Sequence, residues 1–159
     1  MTRNEQFSVR SAAPGDRAAW HALWKEYCAF YDMNITPHTS EVIWERIINP
    51  SNPTHALVAV SSDGELVGLT NYVVHFYTWS DRLLCFAVDF YVQKSWRRHG
   101  VADALMSTLL EHGREQNWLS IYWNTEEANK PARAWYDKIA QRRPYLSYQL
   151  NIDTSNESR

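Results

Sequence analysis

The segment VQKSWRRHGVADAL, Val92 to Leu105, joins two kinds of sequence. Before it, LLCFAVDFYV (Leu83 to Val92) is a nearly continuous apolar run interrupted only by Asp89, the pattern of a strand buried on both faces. After it, Val101, Ala104, Leu105, Thr108, Leu109 and His112 recur at the spacing of an amphipathic helix, with Gly113 near its end. A further apolar stretch, LSIYWN (Leu119 to Asn124), completes a strand-helix-strand unit, which requires two parallel strands. The junction reads Arg97-Arg98-His99-Gly100-Val101-Ala102. A helix N-terminus there presents backbone N–H groups that have no intrahelical partner. Gly100 admits close approach to the backbone, Ala102 does not block it, and three basic side chains stand in the same loop. These features suit a pyrophosphate, although Arg-x-x-Gly-x-Ala also fits an ordinary solvated helix start.

Outward from this unit, the N-terminal half alternates types. FSVRS (Phe7 to Ser11) reads as a short strand, and Pro14-Gly15-Asp16 as a turn into a helix whose apolar side is Trp20, Leu23, Trp24, Tyr27 and Phe30. Pro37 breaks that pattern, and Thr39 or Ser40 caps a second short helix through Val42, Ile43, Ile47 and Ile48, ending at Asn49-Pro50. HALVAVS (His55 to Ser61) and LVGLTNYVVHF (Leu66 to Phe76) form a hairpin around Asp63-Gly64. Downstream, Pro131 opens a helix from about Lys130 to Ala140, and YLSYQLN (Tyr145 to Asn151) reads as a last strand before the polar tail of residues 152–159. The expected fold is α/β: a mixed, mostly antiparallel sheet of about six to seven strands with a central parallel splayed pair and about four flanking helices.

Composition agrees with one globular unit over residues 1–159, ordered from about 5 to 151. The chain has 159 residues, is 45% hydrophobic and 21% charged, and contains five Gly and six Pro. A net charge of -2 gives no electrostatic case for nucleic acid. No apolar run approaches the roughly 18 residues of a membrane span, and MTRNEQFSVR has no apolar core of a signal peptide, so the expected location is the cytoplasm, away from membranes. Cys28 and Cys85 read as two buried thiols, and the six histidines show no HxxxH or HExxH spacing, so no metal is expected. The aromatic residues Trp20, Trp24, Trp44, Tyr27, Tyr31 and Tyr77 read as core or wall, with a minority available to line a pocket for a cationic amine.

Read as a whole, VQKSWRRHGVADAL resembles the pyrophosphate-binding motif of the Gcn5-related N-acetyltransferases. Asn129-Lys130-Pro131-Ala132-Arg133-Ala134-Trp135-Tyr136 is similar to that family's Asn-x-x-Ala-x-x-x-Tyr segment. A helix and a strand separate the two motifs, as the family requires, and the order of elements from residue 5 to 151 is that family's order. LWKEYCAFY, DFYV and IYWNTEEANKPARAWYDK resemble most the Hpa-type histone and polyamine acetyltransferases.

The resemblance implies transfer of an acetyl group from acetyl-CoA, without a metal, to a primary amine such as a polyamine, a lysine side chain of a protein or another small amine. It implies that backbone groups of Phe90, Tyr91 and Val92 pair with the pantetheine arm, and that Arg97, Arg98, His99, Gly100, Val101 and Ala102 hold the pyrophosphate. Asn129 and Ala132 would contact the cofactor, and Tyr136 would give a proton to the departing thiolate. A homodimer is also what the resemblance suggests. Tyr136 alternatively reads as an aromatic core residue with its hydroxyl at the surface. Many polyamine-type relatives carry Glu where this chain has Val88, and a one-residue step along a strand sends Asp89 to the opposite face. Asp89, Glu126, Glu127 or an ordered water can serve as base instead, and Asp89 can equally be a structural acceptor. The missing carboxylate keeps open a non-catalytic acyl-CoA-binding module on the same fold, and the glycine loop a nucleotide-binding domain of another kind.

Overall fold

The computed structural model describes residues 6–152, so the expected polar tail from Asp153 onward lies outside the described residues. The chain divides into two compact units, Met1–Asn124 and Thr125–Arg159. In the first, β1 (Phe7–Ser11) precedes α1 (Arg17–Phe30) and α2 (Pro37–Ile48). Then come β2 (Thr54–Ser61), β3 (Leu66–Tyr77), β4 (Ser80–Val92), α3 (Val101–Glu115) and β5 (Ser120–Tyr122). The second contains α4 (Lys130–Ile139).

The five strands lie in the order β1-β2-β3-β4-β5, antiparallel except for the parallel β4–β5 pair. The mixed α/β architecture is thus as read from the sequence, with five strands in place of six or seven. The parallel pair stands at an edge of the sheet and not at its centre, because residues 145–151 form no strand: Tyr145, Leu146, Tyr148 and Leu150 are exposed. Alternation alone does not make a strand, whose N–H and C=O groups need a neighbouring ladder.

Each face of the sheet has its own core. Trp20, Leu23, Trp24, Tyr27 and Cys28 of α1 and Trp44 and Ile47 of α2 pack with Ala56, Val58, Leu69 and Tyr91. The indoles of Trp20 and Trp24 stack at 5.4 Å and that of Trp44 lies 5.3 Å from Trp20, so the aromatic side of α1 is core as expected, apart from the exposed Phe30. On the other face Val101, Leu105 and Leu109 of α3 pack with Leu57, Val67, Tyr72, Cys85, Ala87 and Trp118. Cys28 and Cys85 are both buried free thiols.

Three local readings change. Pro37 begins α2 instead of separating it from α1, and Thr36 caps the helix by accepting from the Thr39 N–H at 3.1 Å. Proline costs nothing in a first turn, where its missing N–H would have no partner. Gly113 lies inside α3, buried against Trp118, and the helix ends two residues later at Glu115. The left-handed residue that closes it is Asn117, at φ 55°. The Trp118 N–H donates to the Gly113 carbonyl and the Asn117 N–H to the Arg114 carbonyl, which together are the Schellman pattern. Finally, β4 is not buried along its whole length, since Val88 is exposed.

Gly68 on β3 sets how closely α3 approaches the sheet. A Cβ there would lie 2.9 Å from Val101 Cγ1, 3.2 Å from Leu105 Cδ1 and 3.2 Å from the Tyr91 carbonyl oxygen. A stiff β-branched side chain and a backbone atom have little room to retreat. Gly68→Ala is expected to destabilise the protein by about 1–3 kcal/mol, measured by urea unfolding.

Candidate functional site

The register of β4 against β3 shifts at two places, between His75 and Tyr77 near the turn and between Asn71 and Tyr72. Asn71 pairs with Asp89 and Tyr72 with Ala87, which leaves Val88 as the extra residue of a β-bulge. The bulge resets both alternations of the strand. Before it, Cys85 and Ala87 belong to the α3 core; beyond it, Phe90 and Val92 pack on the α3 side while Tyr91 joins the α1 core. Asp89, two residues from Tyr91, therefore faces α1, the side that an unbroken strand would give to Val88. The expectation that Asp89 points away from the site is corrected on this ground.

Main-chain polarity shifts with it. The Gln93 N–H donates to the Val67 carbonyl, so Tyr91 and Asp89 also direct their N–H and C=O groups towards β3. Phe90 and Val92 direct theirs to the opposite edge. There the parallel ladder has already ended: its rungs are Leu84–Ser120, Cys85–Ile121 and Phe86–Tyr122, and none follows. β5 itself ends at Tyr122, opposite Phe86, while β4 runs on to Val92. Of the three residues expected to pair with the pantetheine arm, Phe90 and Val92 turn their main chain away from β3, the Val92 carbonyl accepting from Arg97 Nε, while the main chain of Tyr91 is turned to β3.

The basic loop folds back against the end of this edge. A short 3-10 turn at Lys94–Trp96 places Trp96 against Phe7 at 6.3 Å, edge to face. Arg97 donates from Nε to the Val92 carbonyl at 3.1 Å, and its guanidinium lies over the rings of Phe30 (5.3 Å) and Tyr91 (5.8 Å). Its side chain thus ties the loop to the C-terminal end of α1. Arg98 and Gly100 both adopt positive φ, 64° and 84°, and the His99 ring Nδ1 bonds to the Arg97 carbonyl at 2.9 Å. Gly100 is the N-cap of α3; no side chain caps this end, and the Ala104 N–H to the Gly100 carbonyl is the first helical bond. The amides of Val101 and Ala102 precede that bond. A Cβ on Gly100 would meet nothing within 4 Å, so the space beside this end is open. Positive-φ residues leading into an uncapped helix, open space and an outward-facing strand edge fit a ligand made of a diphosphate and an extended amide arm.

Asp89 is the titratable group at the bulge. The Asn71 Nδ2 donates to its Oδ2 at 3.0 Å, and the Tyr27 hydroxyl is a second donor. Burial raises the carboxyl above the ordinary aspartate range, and the two donors oppose that rise. Burial also raises the Tyr27 hydroxyl, with the Asp89 charge adding to it. Asn71 is a residue of this cluster that the sequence reading missed; Trp20, whose indole N–H donates to Asn71 Oδ1 at 3.2 Å, and Tyr27 were read there as core or wall. The available signal was the lone asparagine in the middle of LVGLTNYVV.

In the second unit, Asn129 caps α4 by accepting from the Ala132 N–H at 3.4 Å, and Pro131 sits in the first turn. Tyr136 is on α4, partly buried, its ring 5.1 Å from that of Trp135. Among the described residues no group of three His, Cys, Asp or Glu could hold a metal ion, and no helix is long and apolar enough to cross a membrane.

Residues 20–140 match the acetyltransferase (GNAT) family. The chain belongs to that family. It is an acetyl-CoA-dependent N-acetyltransferase. It is 27% identical over 149 residues to the D-amino-acid N-acetyltransferase HPA3 of Saccharomyces cerevisiae, covering 93% of this chain and 92% of the yeast protein. Its fold matches a crystal structure of a probable acetyltransferase with a TM-score of 0.81 at 23% identity, over 91% of this chain and 97% of that one. It also matches the aminoglycoside N-acetyltransferase AAC(6')-Iy, solved in complex with CoA, with a TM-score of 0.80 at 15% identity, over 95% and 98%.

The raised carboxyl of Asp89 makes a signed prediction. A folded-state carboxyl that holds its proton more tightly than the unfolded one contributes destabilisation as it ionises, so its effect is absent at low pH and grows as pH rises. Relative to Asp89→Asn, the natural protein should lose stability as pH rises above the ordinary aspartate range of about 4, measured by denaturant unfolding at several pH values.

Proposed function

We propose that the enzyme transfers the acetyl group of acetyl-CoA to a primary amine by direct attack in a ternary complex. The observation that supports this reading is the N-terminus of α3, where Arg98 and Gly100 at positive φ lead into a helix end with no side-chain cap and open space beside Gly100, at the end of the strand β4 whose ladder with β5 stops at Phe86–Tyr122. Amides from Arg98 to Ala102 hold the pyrophosphate, with the side chains of Arg98 and His99 beside them, and Asn129 and Ala132 contribute from α4. The match across residues 20–140 spans both compact units, in keeping with a single catalytic domain.

Acetyl-CoA brings an activated acyl thioester; the chain's own residues manage position and protons. An ammonium has no lone pair with which to attack, so a base must take a proton from it first. Asp89 is assigned that role: it stands at the bulge, faces α1, and its raised carboxyl is closer to a working base than an ordinary aspartate is. Tyr136 is assigned the acid role, giving its hydroxyl proton to the thiolate that leaves. The acceptor is a small amine or the amino group of an amino acid or lysine-containing peptide, the class for which the yeast relative is named being included.

The test is steady-state release of CoA from acetyl-CoA across a panel of polyamines, D- and L-amino acids and lysine peptides. Turnover on at least one amine is expected, and binding of CoA without turnover on any would favour a non-catalytic module. Tyr136→Phe should lower turnover by about 10²-fold or more with little change in CoA affinity. Gly100→Ala should do the reverse, weakening CoA binding, while the strain of an L side chain at φ 84° costs about 1 kcal/mol of stability. A thermal shift with ATP and none with CoA would overturn the assignment.

A further inference from the structure

We propose that Asn71, oriented by the indole of Trp20, is a positioning residue that keeps the Asp89 carboxylate aimed and ready to accept a proton; this rests on the assignment of Asp89 as base. The argument is one of donors and acceptors. An indole N–H can only donate, so the Asn71 atom 3.2 Å from Trp20 Nε1 is the amide oxygen. The other end of the amide is then the NH2 group, and it meets Asp89 Oδ2 at 3.0 Å. A flipped amide would set N–H against N–H at one end and oxygen against carboxylate oxygen at the other. Trp20 has no freedom to change this, being fully buried between Trp24 and Trp44.

The chain of bonds therefore runs in one direction across three elements, from α1 through β3 to β4, and ends on an oxygen of the group at the bulge. The Tyr27 hydroxyl, from the next turns of the same helix, adds the second donor. Asn71 and Asp89 are also direct cross-strand partners in the rung where the register slips. Donation to the charged form favours it, against the burial that disfavours it. The facing titratable groups are Tyr27 and Cys28 of α1, and on β4 Tyr91, whose hydroxyl is turned to Glu26. None of them is a cation that could replace the amide donor.

Two variants test this: Asn71→Leu, which removes the amide, and Trp20→Phe, which leaves Asn71 and Asp89 chemically intact but frees the amide to turn. The pH dependence of kcat/KM on an amine accepted in the panel, and the carboxyl titration of Asp89 followed by ¹³C NMR in the protein without substrates, are measured for each. Asn71→Leu should move both midpoints upward by about one pH unit, and Trp20→Phe should move them in the same direction by less. If Asn71→Leu does not fold, Trp20→Phe carries the test. Midpoints equal to those of the natural protein, or a loss of kcat identical at every pH, would overturn the inference. If Asp89→Asn keeps full activity, the assignment of the base fails instead. If no amine is acetylated, the NMR titration still decides whether the indole acts on the carboxyl.

Discussion

Everything in the site depends on one extra residue in a strand. A β-strand has two alternations that ordinarily cannot be changed separately from its sequence: which face each side chain takes and which edge each peptide group serves. The bulge at Val88 shifts both by one position between Ala87 and Asp89. Upstream, Cys85 and Ala87 serve the α3 core. Downstream, Phe90 and Val92 take over that core and present their peptide groups to the edge past the end of β5, while Asp89 and Tyr91 turn to α1. The same irregularity thus turns the Phe90 and Val92 main chain away from β3 and brings a carboxylate to the opposite side of the sheet from α3. Bulges are common beside active sites for this reason: they re-aim a side chain without breaking the sheet.

The end of β4 is held in place by the loop that follows it. Here Arg97 fastens the loop to the Val92 carbonyl and to the rings of Phe30 and Tyr91, and Trp96 fastens it to Phe7 of β1. The Tyr91 hydroxyl donates to Glu26 at 3.3 Å, so the strand, the loop and the last turns of α1 are held through a common set of groups. Phe30 is exposed in spite of its place in the apolar period of α1, and its contact with Arg97 gives that exposure a structural use. A guanidinium spread over two ring faces is less hydrated than an ammonium and suits such a contact.

Much of this was legible in the chain. LLCFAVDFYV declared the long strand, the apolar period from Val101 declared α3, and the polar loop between them with its glycine located the start of that helix. The bulge was not legible, because nothing in FAVDFY distinguishes a bulged strand from a straight one; the slip arises from pairing with β3, which only the assembled sheet determines. The orientation of Asp89 was misread for that reason and no other. Pro37 was misread as a break because a proline can end one helix or begin the next, and the choice is made by whether a capping side chain, here Thr36, precedes it. The strand expected at Tyr145–Asn151 failed for the opposite cause, a clear local alternation without a ladder to join.

The polar chain under α1 is costly enough to require an explanation. Trp20 and Asn71 are buried and Asp89 partly so, and burying amide and carboxylate groups is unfavourable unless each finds a partner. An apolar trio of similar volume would pack as well and carry no such cost. The network is nevertheless complete at each link: the indole has its acceptor, the amide has both an acceptor and a donor function in use, and the carboxylate has two donors. A fully satisfied network in a low-dielectric setting is stiff, because any one group that turns leaves its neighbours unpaired. That stiffness is concentrated where β4 is least regular. Beside a bulge, where the ladder itself no longer fixes the direction of the strand, three hydrogen-bonding side chains from three elements do so instead, and they fix it at Asp89.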